Sequence, residues 1–173
     1  MEIRLAGVIR ESIVDGPGIR FVVFTQGCKH NCEGCQNPET HSFDGGYITD
    51  TQRIIDEVKK NPIIKGVTLS GGDPLFQPEA TLDLCRKLKE NNYNVIIYTG
   101  FTYEQLVSKK NETIMEILSN CDTLVDGKFV LKLRSLSCRF RGSTNQRLVN
   151  VPETLKQGRV VTHDWGTLDE RVL

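Results

Sequence analysis

Three of the six cysteines in this 173-residue chain fall within eight positions, as Cys28-x3-Cys32-x2-Cys35. Soft thiolates grouped on one short stretch suit zinc, copper(I) or an iron–sulfur cluster. A structural zinc site takes four protein ligands, and the fourth would have to come from His30, His41 or a distant cysteine. A cubane cluster is fully ligated by four cysteines, so three leave one iron open to an outside ligand. Spacing alone thus leaves three readings: a cluster with an open iron, a zinc site, or a loop without metal. His30 and His41 read as solvated loop residues or hydrogen-bond partners, and the isolated His163 has no role. Cys85, Cys121 and Cys138 are scattered and read as core packing, since free cysteine is among the most buried residue types. Structural disulfides are not expected of a chain placed in a reducing compartment.

A second candidate is Ser70-Gly71-Gly72-Asp73-Pro74. Glycines at such a junction let backbone groups approach a ligand closely. Asp73 offers an acceptor for an ammonium group. The alternative is a plain turn, for which Gly, Asp and Pro are common residues.

These segments need elements to hold them. Phe21-Val22-Val23-Phe24 is a continuous apolar run, as in a strand buried on both faces, and the cysteine loop follows it directly. Thr49, with Gln52 three residues on, reads as the capping start of a helix whose apolar face is Ile54, Ile55 and Val58. Gly66–Leu69 is a second strand, closed by the Ser70–Pro74 segment. Pro78 opens a helix carrying Leu82, Cys85 and Leu88. Asn94–Tyr98 is a third strand, closed by Thr99-Gly100. One or two helices fill 103–119, Thr123–Val125 is a fourth strand leading into Asp126-Gly127-Lys128, and 158–162 is a candidate last strand. Strands alternating with helices imply βαβ units and a parallel sheet. Ligands collect at the carboxyl ends of such strands, so four loops converge on one site.

Composition bounds the rest. Lys and Arg number 22, as do Asp and Glu, so the formal net charge is zero. That argues against a chain devoted to coating nucleic acid or anionic membrane. No apolar stretch approaches the ~18 residues of a membrane span. Met1-Glu2-Ile3-Arg4-Leu5 lacks the build of a secretory leader, so a cytoplasmic location is expected. The length is well short of a closed eight-stranded barrel of ~250 residues.

With the Gly-Gly-Asp loop downstream, the cysteine motif resembles the radical S-adenosylmethionine superfamily. Val14-Asp15-Gly16-Pro17-Gly18-Ile19-Arg20 and Phe24-x-Gln26-Gly27-Cys28 resemble the subgroup that activates glycyl-radical enzymes. Leu124–Phe129 and Arg141-Gly142-Ser143-Thr144-Asn145-Gln146-Arg147 resemble its anaerobic ribonucleoside-triphosphate reductase activators. The similarity spans about residues 8–147. Gly34 departs from the wider superfamily, where an aromatic residue usually precedes the third cysteine, but agrees with the reductase activators. The resemblance implies an open partial (βα) barrel with mostly parallel strands, one domain over 1–173, and a less regular segment over 130–173. It implies a [4Fe-4S] cluster on Cys28, Cys32 and Cys35, whose open iron binds the amino and carboxylate groups of S-adenosylmethionine. One electron from the reduced cluster then cleaves a carbon–sulfur bond, giving methionine and a 5′-deoxyadenosyl radical that takes a hydrogen atom from a glycine of the reductase. By analogy Ser70, Gly71, Gly72 and Asp73 hold the methionine end. Gly34, Cys35 and Gln36 lie against the adenine, and Asp126 and Lys128 sit near the same ligand. No side chain is required as acid or base. The implied partners are the reductase and an electron donor such as flavodoxin or ferredoxin, with neither nucleic acid nor membrane. The alternatives are activation of another glycyl-radical enzyme, such as pyruvate formate-lyase, and a zinc-binding interaction module.

Two segments stand apart. Between Gly127 and Arg147 lie six basic residues (Lys128, Lys132, Arg134, Arg139, Arg141, Arg147) and no acidic one. They read as a docking surface, a phosphate contact, or a solvated face. Asp15-Gly16-Pro17-Gly18 reads as a tight turn, with or without a contact to the cluster or partner.

Overall fold

The structure, a computed structural model, describes residues 1–165. The end of the segment expected to be less regular, 166–173, lies outside the described residues. Seven strands form one mixed sheet: β1 (Glu2–Ser12), β2 (Arg20–Thr25), β3 (Tyr47–Asp50), β4 (Gly66–Gly71), β5 (Asn94–Tyr98), β6 (Thr123–Asp126) and β7 (Arg147–Asn150). Their order is β3-β1-β2-β4-β5-β6-β7. β2, β4, β5 and β6 pair in parallel. The flanking β1, β3 and β7 pair antiparallel. The expected parallel strands therefore form the centre of the sheet.

The central strands are hydrophobic because both of their faces are covered. Phe21, Val23, Val67, Leu69, Val95, Ile97, Leu124 and Val149 pack in one cluster with helix residues. Those helices are α1 (Thr51–Lys59), α2 (Pro78–Glu90), α3 (Tyr103–Ser108), α4 (Glu112–Ser119) and α5 (Val151–Gln157). Ile54, Ile55 and Val58 of α1 are buried, as their spacing predicts. Asp50, not Thr49, caps that helix, because Asp50 accepts from the Gln52 N–H at 2.8 Å while Thr49 belongs to β3. Thr102 and Gln105 close a reciprocal capping box on α3.

The other face carries Ile96, Val125 and Leu148, packed against Tyr98, Phe140 and Trp165. No helix covers it. Residues 13–18 run over it as a series of bends, and Thr68 Oγ1 donates to the Asp15 carbonyl at 2.8 Å. Arg20 is only 3% exposed there. Its guanidinium donates to Thr68 Oγ1 and to the carbonyls of Val67 and Asn94, so one side chain ties β2, β4 and β5 together. Burial lowers its pKa to about 10, which still leaves it charged at neutral pH.

Three strands differ from the sequence reading. β1 alternates buried Ile3 and Leu5 with polar Glu2 and Arg4, the period of a half-buried strand. β7 lies at 147–150, and the proposed strand over 158–162 is reduced to one bridge between Val149 and Thr162. β3 pairs with β1, and its Tyr47 and Ile48 face outward. Within the described part of 130–173, residues 130–146 hold only a short 3-10 turn, bends and isolated bridges, and β7 and α5 follow them.

Candidate functional site

A cavity of about 760 Å³ opens at the carboxyl ends of β2, β4, β5 and β6, where Phe24, Ser70, Gly71, Tyr98 and Gly127 line it. Cys28, Cys32 and Cys35 line the same cavity as free, half-buried thiols. The loop that carries them is fastened at both ends. Gly27 and Cys28 donate to the carbonyls of Thr40 and His41. The buried Gln26 side chain donates to the carbonyls of Glu39 and Ser42 at 3.0 and 2.7 Å.

Backbone N–H groups point at the sulfurs. His30 N–H approaches Cys28, Phe129 N–H approaches Cys32, and Asn37 N–H lies 3.4 Å from Cys35 Sγ. Such donors favour thiolate over thiol and set the potential of a bound cluster. Burial acts in the opposite direction and raises the pKa of Cys28 and Cys32. Among the described residues no three His, Cys, Asp or Glu side chains converge on a single-ion site. Zinc would need its sulfurs ~2.3 Å from one point. A multi-iron cluster, with each thiolate on its own iron, has no such requirement, so the donor set fits a [4Fe-4S] cluster better than a lone ion.

Gly34 takes φ +71°, and a Cβ there would lie 2.9 Å from Leu131 Cδ1. The left-handed backbone, more than the movable tip of the exposed Leu131 side chain, is what favours glycine at this position. Gly71 takes φ +96°, and a Cβ would lie 2.6 Å from both the N and O of Thr25. The end of β4 is thereby held against β2, with the Gly72 N–H donating to the Thr25 carbonyl at 2.7 Å.

Of the residues expected to meet S-adenosylmethionine, Cys35, Gln36, Ser70, Gly71 and Gly72 line the cavity, while Gly34, Asp73, Asp126 and Lys128 do not. Asp73 is 1% exposed and its carboxylate is fully committed. Oδ1 accepts from Leu75 N–H at 2.9 Å. Oδ2 lies 2.7 Å from His30 Nε2 and accepts from Thr99 Oγ1 at 2.8 Å and Gly100 N–H at 2.9 Å. Four donors occupy the roughly four acceptor positions of a carboxylate. None is left for an ammonium group, which corrects that expectation. His30 is correspondingly not solvated. It is 8% exposed in its side chain and packs against Phe101 and Phe76, ring centroids 4.6 and 5.3 Å away.

Asp126 is also buried and spoken for. Arg147 donates to its two oxygens at 3.0 and 2.5 Å, and Tyr103 N–H donates at 2.7 Å. Arg147 also grips Glu104, so it is a crosslink between β7, β6 and α3 rather than a free cation of the basic run. Lys128 is exposed outside the cavity lining. Gln146 accepts from the N–H groups of Gly142 and Ser143 and donates to the Gly127 carbonyl, which explains the Arg-Gly-Ser-x-Asn-Gln segment as a clasp over the cavity. Cys85 and Cys121 are core residues as expected. Cys138 is buried as well, and it also lines the cavity. His163 accepts a role after all, bonded to Thr123 Oγ1 at 2.9 Å and stacked on Trp165.

Comparison with known proteins shows the family. The 4Fe-4S single cluster domain family matches residues 14–149. A Haemophilus influenzae protein named anaerobic ribonucleoside-triphosphate reductase-activating protein is 34% identical over 142 residues, covering 78% of this chain and 89% of its own. Proteins of the same name from Escherichia coli K12 and phage T4 are 34% and 32% identical, covering 90% and 86% of their lengths. Among solved structures, Escherichia coli QueE matches 73% of this chain and 71% of its own, with TM-score 0.49 and 12% identity.

Proposed function

The chain belongs to the 4Fe-4S single cluster domain family and to the anaerobic ribonucleoside-triphosphate reductase-activating proteins, and from that premise we propose how its residues do this work. It is a radical S-adenosylmethionine enzyme that activates the anaerobic reductase by leaving a glycyl radical on it. The observation that carries this reading is the meeting of three loop thiols with the Ser70-Gly71-Gly72 backbone in one cavity.

Cys28, Cys32 and Cys35 hold the [4Fe-4S] cluster. When bound, the cluster and S-adenosylmethionine together supply reductive carbon–sulfur cleavage and hydrogen-atom abstraction. The protein supplies position and a sheltered cavity. Ser70, Gly71 and Gly72 present backbone groups to the methionine end of the cosubstrate, and Cys35 and Gln36 face its adenine, with Gly34 shaping the loop that carries them. His30 and Asp73 lock the cysteine loop to the ends of β4 and β5. Arg147 and Asp126 fix the start of the clasp. No side chain is needed as acid or base. The sheet acts as an open partial barrel over one domain, the electron donor is a low-potential carrier such as flavodoxin or ferredoxin, and the compartment is the reducing cytoplasm.

The test is anaerobic reconstitution with iron and sulfide, followed by reductant and S-adenosylmethionine. A brown protein that forms methionine and 5′-deoxyadenosine, and that raises a glycyl-radical resonance in the reductase, meets it. A colourless protein holding stoichiometric zinc after anaerobic purification overturns it.

A further inference from the structure

Large apolar side chains are normally scattered when exposed, so a concentration of them at one place signals contact with something else. The three most exposed such residues among those described are Leu136 at 82%, Ile13 at 73% and Val14 at 71%. All three line the cavity of the cysteine loop. Ile13 and Val14 are neighbours, but Leu136 lies far along the chain from them, so local sequence does not account for its meeting them. Burying them would release roughly 25 cal/mol for each Å² of apolar surface removed from water. The fold forgoes that burial at the mouth of its own site.

Charge marks the same rim. Arg139 and Arg141 line the cavity, while Lys128, Lys132 and Arg134 are exposed on the adjoining segment. None of these five forms an ion pair among the described residues, in contrast to Arg147. The stretch from 127 to 147 contains no acid that could neutralise them internally. The Asp15 carboxylate, at the same mouth, is bonded to Ser12 Oγ.

The rim is also ordered. Gln146 stitches residues 142 and 143 to Gly127, and Asn145 Nδ2 donates to the Lys128 carbonyl at 2.8 Å. A surface already held in shape loses little conformational freedom on binding.

We propose that this mouth is the docking surface for the reductase, and that it receives a segment in which apolar side chains are flanked by acidic ones. The inference rests on the function given above, since the reductase glycine must reach the cavity through this opening. The acids of the partner meet the cationic collar, which speeds encounter and sets orientation, and its apolar residues cover Leu136, Ile13 and Val14.

The experiment measures binding of the whole activator, cluster loaded and anaerobic, to the whole reductase by biolayer interferometry over a range of salt. The collar variant carries Lys132→Glu and Arg134→Glu, both outside the cavity lining. The control carries Arg53→Glu and Lys59→Glu, the same charge change on α1 across the sheet. Retained cluster absorbance and an unchanged circular dichroism spectrum show that each variant is folded. The collar variant should bind about tenfold more weakly, mainly through slower association, and lose most of its salt dependence. Leu136→Ser should instead speed dissociation severalfold. Equal weakening by collar and control variants, or no weakening by either, overturns the docking proposal while leaving the function intact. A wild-type protein that binds the reductase yet cleaves no S-adenosylmethionine would instead overturn the function.

Discussion

Replacing Asp73 with Asn separates two roles for the Gly-Gly-Asp loop. The side chain keeps its size but loses its charge and one acceptor oxygen. In the better amide orientation the carbonyl faces His30, Thr99 and Gly100, and the new NH2 group faces the Leu75 N–H. Three charge-assisted bonds become neutral, a loss of about 1 kcal/mol each, and one buried donor is left unsatisfied at about 1–3 kcal/mol. The expected destabilisation is about 4–6 kcal/mol, a large part of the ~5–15 kcal/mol that holds a domain together. Urea unfolding of the cluster-free, reduced protein checks it. With a slope of about 2 kcal/mol per molar, the midpoint should fall by about 2–3 M. Thr99→Val removes one donor to the carboxylate and the acceptor of the Phe101 N–H, and should cost about 2 kcal/mol, less than Asp73→Asn. If Asp73→Asn unfolds at the wild-type midpoint and only binds S-adenosylmethionine more weakly, Asp73 is a ligand and the anchoring argument fails.

Cys28→Ala, Cys32→Ala and Cys35→Ala should each abolish bound iron after reconstitution. Cys85→Ala should keep full iron while losing about 1–2 kcal/mol of stability through the small cavity left in the core; iron loss there would show the ligand set to be wrong. Gly71→Ala must place a Cβ against Thr25 at φ +96°, costing at least ~1–3 kcal/mol, and a melting temperature equal to wild type would refute the close approach. His163 has its pKa lowered from 6.5 by burial. A base depressed in the fold stabilises fully above the unfolded pKa and loses that stability as pH falls through 6.5 and below. Unfolding measured at pH 7.5 and 5.5 should therefore show an acid-side loss that His163→Gln reduces, and an identical loss in both proteins would exclude His163 as its source.

The parts legible in the sequence are those with a strong local signal. Val22 and Val23 announce a strand by uninterrupted hydrophobicity, and Ile54, Ile55 and Val58 announce a helix face by their spacing. The cysteines follow the strand that presents them, so their place at its carboxyl end follows from order alone. What escaped was settled by partners distant in the chain. Asp73 looks like a ligand until His30 and Thr99 are seen around it. Arg147 looks like one cation of six until Asp126 and Glu104 meet it. Cys138 has the composition of a core residue, and only the path of the clasp turns it toward the cavity. β1 carries the alternation of a half-buried strand, but β3 and β7 are four residues each and have too little pattern to stand out.

The two faces of the sheet also differ in when they can form. The helical face joins strands to the helices that immediately follow them, and such short loops close at little entropic cost. The other face is closed by residues 13–18 from one end of the chain and 139–165 from the other. Contacts between so widely separated segments form late, because the chain between them must be ordered first. Contact order alone therefore predicts that the cavity closes after the helical face. In that order the three thiols would stand on a formed scaffold before the clasp shuts, with an interval in which iron and sulfide can reach them. Pulse-labelled hydrogen exchange, with β4 and β5 protected before β7, would register that order.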